Sequence, residues 1–178
     1  MRRMPRAMRW WLEKNQPKTT PLDRPIFLNH TTPMTTPLYR ITHHADAHRP
    51  PRFVLQAAGH SAPPPEVHSL HMANDADVSA IDLAGVERIT LHFPQFTDGR
   101  AYSQAVLLRK RLGFAGDLRA SGDLGIDQLL QLARSGFSSV QPDAPLDLAA
   151  GQRQLDRYAA FYQGDAVQPH PLFAESRA

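Results

Sequence analysis

The prolines of this chain crowd one end of it, and that limits where a packed domain can lie. Eleven of the sixteen fall within residues 1–65, whereas nine of the ten glycines come after residue 84, between periodic segments. Proline fixes φ and removes a backbone donor, so the front third predicts a mostly irregular, disordered or extended segment. The chain then divides into an N-terminal segment over 1–65, an α/β domain over 66–163 and a flexible tail over 164–178. Residues 1–33 hold seven cationic side chains against two acidic ones, a net +5, which leaves −2 for residues 34–178 of a chain whose total is +3. Met34-Thr35-Thr36-Pro37 reads as a native start, which would make 1–33 a mis-assigned leader. A disordered tail or a targeting segment are the alternatives. The Arg-rich opening with Trp10, Trp11 and Leu12 lacks the apolar core of a secretory signal, and a surface helix would have only a dozen residues before the prolines.

From residue 67 onward the hydrophobic pattern alternates between two periods. Val67–Met72 and the strictly alternating Ile89-Thr90-Leu91-His92-Phe93 predict strands. Between them, Asn74 and Asp75 offer a helix cap ahead of Val78 and Ile81, and Gly85 ends the unit. Ala101, Ala105, Leu108 and Leu112 form an apolar helical stripe, closed by Lys110, Arg111 and Gly113. A strand at Asp117–Ser121, a helix through Ile126, Leu129, Leu130 and Ala133, and a strand at Ser138–Gln141 follow. A last helix is expected across Leu146–Tyr162 with Leu148, Leu155, Ala159 and Tyr162 inward. Leu112-Gly113-Phe114 and Ser135-Gly136-Phe137 echo each other 23 residues apart. About four βα units with a parallel sheet result, too few for an eight-stranded barrel, so a three-layer sandwich or a half-barrel is expected.

Composition excludes some chemistry. With no cysteine in its 178 residues, the chain can offer no disulfide, thiolate metal site or cysteine nucleophile. No apolar run is long enough to span a membrane, and a cytoplasmic protein is expected. The basic character belongs to the leader, so a nucleic-acid partner is not expected either. His43, His44 and His48 with Asp46 resemble a metal cluster, but their proline-flanked setting argues against one, and no metal site is assigned.

In parallel α/β folds ligands bind at the carboxyl ends of the strands. Here that edge holds Asn74 and Asp75, then Thr97-Asp98-Gly99-Arg100, Ser121-Gly122-Asp123 and Gln141-Pro142-Asp143. Asp98-Gly99-Arg100 could clamp an oxyanion at a helix start; the alternative is a structural pair, Asp98–Arg100 or Arg100–Asp123. Arg119, inside a strand, must be paired or sit at an edge. Arg109 reads as solvated. Gly122-Asp123-Leu124-Gly125 opens a helix after a strand, yet matches no complete phosphate-loop or dinucleotide motif, and no cofactor is named. Asp98 and Asp123 are the candidates for acid or base, and Ser103 is a weak candidate nucleophile with no nearby histidine.

The string Phe93-Pro94-Gln95-Phe96-Thr97-Asp98-Gly99-Arg100-Ala101-Tyr102-Ser103, with Leu107-Leu108-Arg109 and Arg111-Leu112-Gly113-Phe114, resembles a bacterial domain-of-unknown-function family. Gly116-Asp117-Leu118-Arg119-Ala120, Gly122-Asp123, Asp127-Gln128-Leu129, Gly136-Phe137 and Tyr162-Gln163 continue the resemblance in register over residues 67–163. Members of that family are labelled oxidoreductases of sulfite reduction because they accompany assimilatory sulfite reductase and phosphoadenylyl-sulfate reductase. The resemblance therefore implies assimilatory sulfite reductase as a partner, or a small oxyanion as a ligand. It completes a ligand-binding set of Asp98, Gly99, Arg100, Arg119, Gly122, Asp123, Asp127 and Gln128. The family's usual glycine, arginine and cysteine are replaced here by Ala101, Ile126 and Ser135, so a thiol at that last position cannot be required in this chain.

Overall fold

A computed structural model describes residues 37–46, 49–60, 68–171 and 174. It contains one six-stranded mixed sheet: β1 (Pro37–Asp46), β2 (Arg49–His60), β3 (Ser69–Met72), β4 (Arg88–Phe93), β5 (Asp117–Gly122) and β6 (Ser139–Pro142), in the order β2-β1-β6-β5-β4-β3. Strands β3 to β6 are parallel and lie in chain order. Strand β1 runs antiparallel to β6, and β2 antiparallel to β1.

Three helices follow the later strands: α1 (Arg100–Lys110), α2 (Leu129–Ser135) and α3 (Leu148–Leu155). Because α1 touches α2 and α2 touches α3, they form a single layer on one face of the sheet. Parallel strands wound in one direction, without a reversal of order, send every crossover over the same face. Among the described residues this makes two layers, so of the two expected shapes, three-layer sandwich or half-barrel, the three-layer sandwich is not the one they form. Alternation along the strands does the rest. Ile89, Leu91 and Phe93 of β4, Leu118 and Ala120 of β5 and Val140 of β6 are fully buried against Ala101, Ala105, Leu108, Leu129 and Leu132 of the helices. Each buried Leu or Phe of this kind is worth about 1.5–3 kcal/mol. The intervening residues Arg88, Thr90, His92, Asp117, Arg119, Ser121, Ser139 and Gln141 point to the opposite face, which carries no helix among the described residues.

Several expectations are corrected. The proline-rich segment is not irregular from Pro37 onward: β1 and β2 form a hairpin whose Tyr39, Ile41, Phe53 and Leu55 join the core. The prolines fit because Pro37 opens its strand, and Pro50 and Pro51 lie near the start of the outermost strand, beside the register shift between His44 and Asp46. The first of the four expected units carries no α-helix. Asp77 accepts from Ser79 N and Oγ, and Asp82 from Ala84 N, so local side-chain bonds leave only a 3₁₀ turn at Val78–Ala80, capped by Asp77 instead of Asn74 or Asp75. Leu112 lies beyond the end of α1 and is exposed. The last helix is eight residues long, with Leu148, Ala159 and Tyr162 exposed instead of inward. Beyond residue 163 the chain folds back: Asp165 is buried, pairs with Arg134, and accepts from the N–H groups of Val167 and Gln168. Residues 1–36 and 61–67, including the leader and Met34, lie outside the described residues.

The internal echo corresponds to a repeated helix stop. Gly113 and Gly136 both have positive φ, 66° and 98°. Each is followed by a buried phenylalanine whose N–H returns to the helix, Phe114 to Leu108 O and Phe137 to Leu132 O.

Candidate functional site

The carboxyl edge of the parallel strands is built from three loops that bond to one another. After β4 the chain turns through Asp98 N–H to Gln95 O and enters α1 at Gly99, which supplies no side-chain cap. The Asp98 carboxylate takes up that role. Its Oδ1 accepts from Arg100 N and Nε (3.3 and 3.0 Å), and its Oδ2 from Arg100 Nη2 and Asn74 Nδ2 (2.7 and 2.6 Å). Arg100 thus pairs with Asp98, while Asp123 holds a different donor, the Phe96 N–H at 2.8 Å. Gln128 completes that clamp, donating to Phe96 O and accepting from Gly125 N, each at 3.0 Å. The exits of β3, β4 and β5 are therefore cross-tied by the very side chains that sequence reasoning selects as ligand groups.

Hydrogen bonding from Arg100 holds the Asp98 carboxyl down at about 2, well below the ordinary carboxylate value. An acid this strong is a poor proton donor or acceptor at neutral pH. Tyr102 is held out of neutral-pH chemistry in the opposite sense, pushed up to about 12 by burial and by Asp127. Its ring packs edge-on against Phe93 and Phe137. The Asp98–Arg100 pair is exposed, so the Arg100→Ala variant should fold normally, with a fall in Tm of about 2 °C or less. In that variant an NMR titration should show the Asp98 midpoint rising from about 2 toward the ordinary aspartate value near 3.9. An unchanged midpoint would mean that Arg100 does not set it.

The remaining candidates separate. Gly122 and Asp123 stay with the Phe96 loop, while Asp127 faces a groove beside α2. Arg119 lies in mid-strand on the opposite face of the sheet and takes no part in the Asp98–Arg100 cluster. It is buried, donating from Nε to Ser139 Oγ and from Nη2 to Asp117 Oδ2. Asp117 also accepts from Arg88 Nε at 2.9 Å and from the hydroxyls of Ser138 and Ser139, both at 2.7 Å. Beside this network the Thr90 hydroxyl is buried and has no hydrogen-bond partner.

Other functional candidates escape sequence reasoning. His92 Nδ1 lies 3.3 Å from Ser121 Oγ on the helix-free face, a pair visible only once β4 and β5 are in register. Arg109 is not a solvated residue. Its guanidinium donates to the carbonyls of Gly136, Phe114 and Gly116 and sits over the Phe114 ring, tying together the starts of β5 and β6. Near the C-terminal end, Leu130, Arg134, Arg157, Tyr158, Phe161 and Tyr162 line an open groove of about 500 Å³. Tyr158 and Tyr162 are 56% and 82% exposed, and Arg134 stacks 4.2 Å above the Phe161 ring. Ala101 is fully buried on α1, Ile126 is half-buried against the core and Ser135 is buried at the end of α2, so all three departures from the family pattern fall on packed positions.

Among the described residues no group of three or more His, Asp or Glu side chains is placed to hold a metal ion. His43, His44 and Asp46 lie on β1, and His48 falls outside the described residues. No described helix is long and apolar enough to cross a membrane. No curated protein and no solved structure matches the chain. A family model does match, over residues 69–173, and its description is a bacterial protein of unknown function, DUF934. That match runs from the first residue of β3 past the Asp165 turn, and the chain belongs to this family.

Proposed function

We propose that this protein is an accessory protein of assimilatory sulfite reduction, which docks on the sulfite-reducing enzyme and assists its assembly or electron delivery. The observation that favours docking over catalysis is where the chain spends its polar groups and where it leaves aromatic ones open. At the carboxyl edge, Asp98, Arg100, Asp123 and Gln128 are engaged with one another or with backbone. An acid–base pair poised around a ligand would leave at least one such group open to it. At the α2–α3 groove, by contrast, Tyr158 and Tyr162 stand exposed beside Arg134 and Arg157. Tyrosine and arginine are the residues enriched in protein–protein contacts, because they offer large area at low entropy cost together with polar ends. The sulfur pathway itself enters through the family resemblance.

The test is growth of a deletion strain on sulfate, sulfite, sulfide or cysteine as sole sulfur source. Failure on sulfate and sulfite with rescue by sulfide is the expected result, and normal growth on all four removes the proposal. Complementation with Tyr158→Ala/Arg157→Glu should fail and should lose co-purification with the sulfite-reducing enzyme. The Lys110→Gln variant should restore growth, since Lys110 is exposed on α1 away from the groove.

A further inference from the structure

The sheet face opposite α1–α3 holds a charge imbalance that the described residues do not resolve among themselves. Thr90 pairs in register with Arg119 and lies two residues beyond Arg88 on the same strand, so the three side chains form a compact triangle. Arg88 Nε and Arg119 Nη2 converge on a single oxygen, Asp117 Oδ2, at 2.9 and 3.2 Å. Two guanidinium groups thus share one carboxylate, and both are largely withdrawn from solvent, with side chains 13% and 6% exposed. Arg40, whose strand neighbour Ser139 is itself the neighbour of Arg119, adds like charge from β1. Burial, then the charge of Arg88 and of Arg40, works against the protonated state of Arg119, and Asp117 only partly offsets them.

An excess cation in a buried site is costly unless an anion accompanies it. The third corner of the triangle supplies what a bound anion would use. The Thr90 hydroxyl is 4% exposed as a residue, donates to nothing and accepts nothing, although almost every buried hydroxyl finds a partner. Two convergent arginines and one unused hydroxyl are the donor set of a tetrahedral oxyanion site. We propose that this face binds a small oxyanion of the sulfate or phosphate class, held by Arg88 and Arg119 with the Thr90 hydroxyl as the third donor. The site lies across the sheet from the aromatic groove and does not depend on a role in sulfite reduction.

Sodium sulfate and sodium phosphate, titrated into the full chain against sodium chloride at equal ionic strength, should raise Tm along a saturating curve where chloride does not. Thr90→Val keeps the shape and removes the hydroxyl, and should weaken the apparent affinity about tenfold. Arg40→Gln, at an exposed position, should weaken it by a smaller factor, and Lys110→Gln should leave it unchanged. The Arg88→Gln variant should abolish saturation. Should that variant fail to fold, Thr90→Val and Arg40→Gln still decide the matter. A rise in Tm no larger with sulfate or phosphate than with chloride overturns the site, as does saturable binding that Thr90→Val leaves intact.

Discussion

Replacing Asp117 by asparagine is expected to lower Tm by roughly 10 °C, the largest loss from any single polar change in this protein. One carboxylate here receives four donors from three strands and the loop before β6: Arg88, Arg119, Ser138 and Ser139. An amide in its place turns N–H groups toward at least one of those donors and removes the negative charge to which both arginines donate. Breaking a buried pair in this way costs about 3–5 kcal/mol, because the partners remain buried without compensation. The pH dependence carries the same information. Burial pushes the Asp117 carboxyl up, but Ser138, Ser139, Arg119 and Arg88 together bring it below its ordinary value. A lowered carboxyl stabilises the fold above its unfolded pKa, near 3.9, and that contribution disappears as pH falls through the folded value. Wild type should therefore lose stability below about pH 4, and the Asp117→Asn variant should lose less over the same range. A Tm for Asp117→Asn within 3 °C of wild type would mean that the network is dispensable.

The second large effect concerns Gly122, at the crossing of three strand exits. Its φ is +106°, and a Cβ there would strike the Phe93 carbonyl oxygen and lie 2.8 Å from the His92 ring. The His92 ring could turn away, but the Phe93 backbone cannot, since it belongs to β4 and its oxygen also accepts from Asp123 N. Gly85 provides the comparison. Its φ is +72° and nothing lies within 4 Å of its Cβ position, so Gly85→Ala carries only the left-handed penalty of about 1–2 kcal/mol. Gly122→Ala adds displacement of a packed strand, for a total of roughly 3–5 kcal/mol. Thermal unfolding of the two variants side by side should place Gly122→Ala several degrees lower. Equal Tm values would show that the β4–β5 exit yields easily.

What could be read from the sequence was whatever depends on local period. Strand β4 alternates because one of its faces meets helices, and Ala101, Ala105 and Leu108 mark the buried side of α1. The same period of two sets Asp117, Arg119 and Ser121 on one side of β5. What it cannot say is that Arg88 and Ser139 come from neighbouring strands to meet them, since register is a property of the assembled sheet. The prolines misdirected the reading of the front segment for a related reason: their cost depends on whether a strand is inner or outer, which β2 settles only by its place in the order. Near the C-terminal end, Leu148, Ala159 and Tyr162 fit a helical stripe, yet α3 stops at Leu155, and the aromatic residues beyond it serve the surface. At the candidate site, types and neighbourhood were legible for Asp98, Gly99, Arg100, Gly122 and Asp123. Their mutual engagement was not, because Asn74 and Phe96 reach them from other loops.

The insertion of β1 between β2 and β6 sets an order of events during synthesis. The β1–β2 hairpin leaves the ribosome first, but the groups that cover it come last: Gln152 of α3 bonds the backbone of Phe53 and Leu55 across 99 and 97 residues. Until α3 emerges, Phe53 and Leu55 lack the helix that bonds across their strand. Closure over such separations is the slow, entropically costly part of sheet assembly. The nascent chain thus carries an adhesive strip through most of its translation, and its solubility in that interval rests on how quickly the ribosome delivers α3.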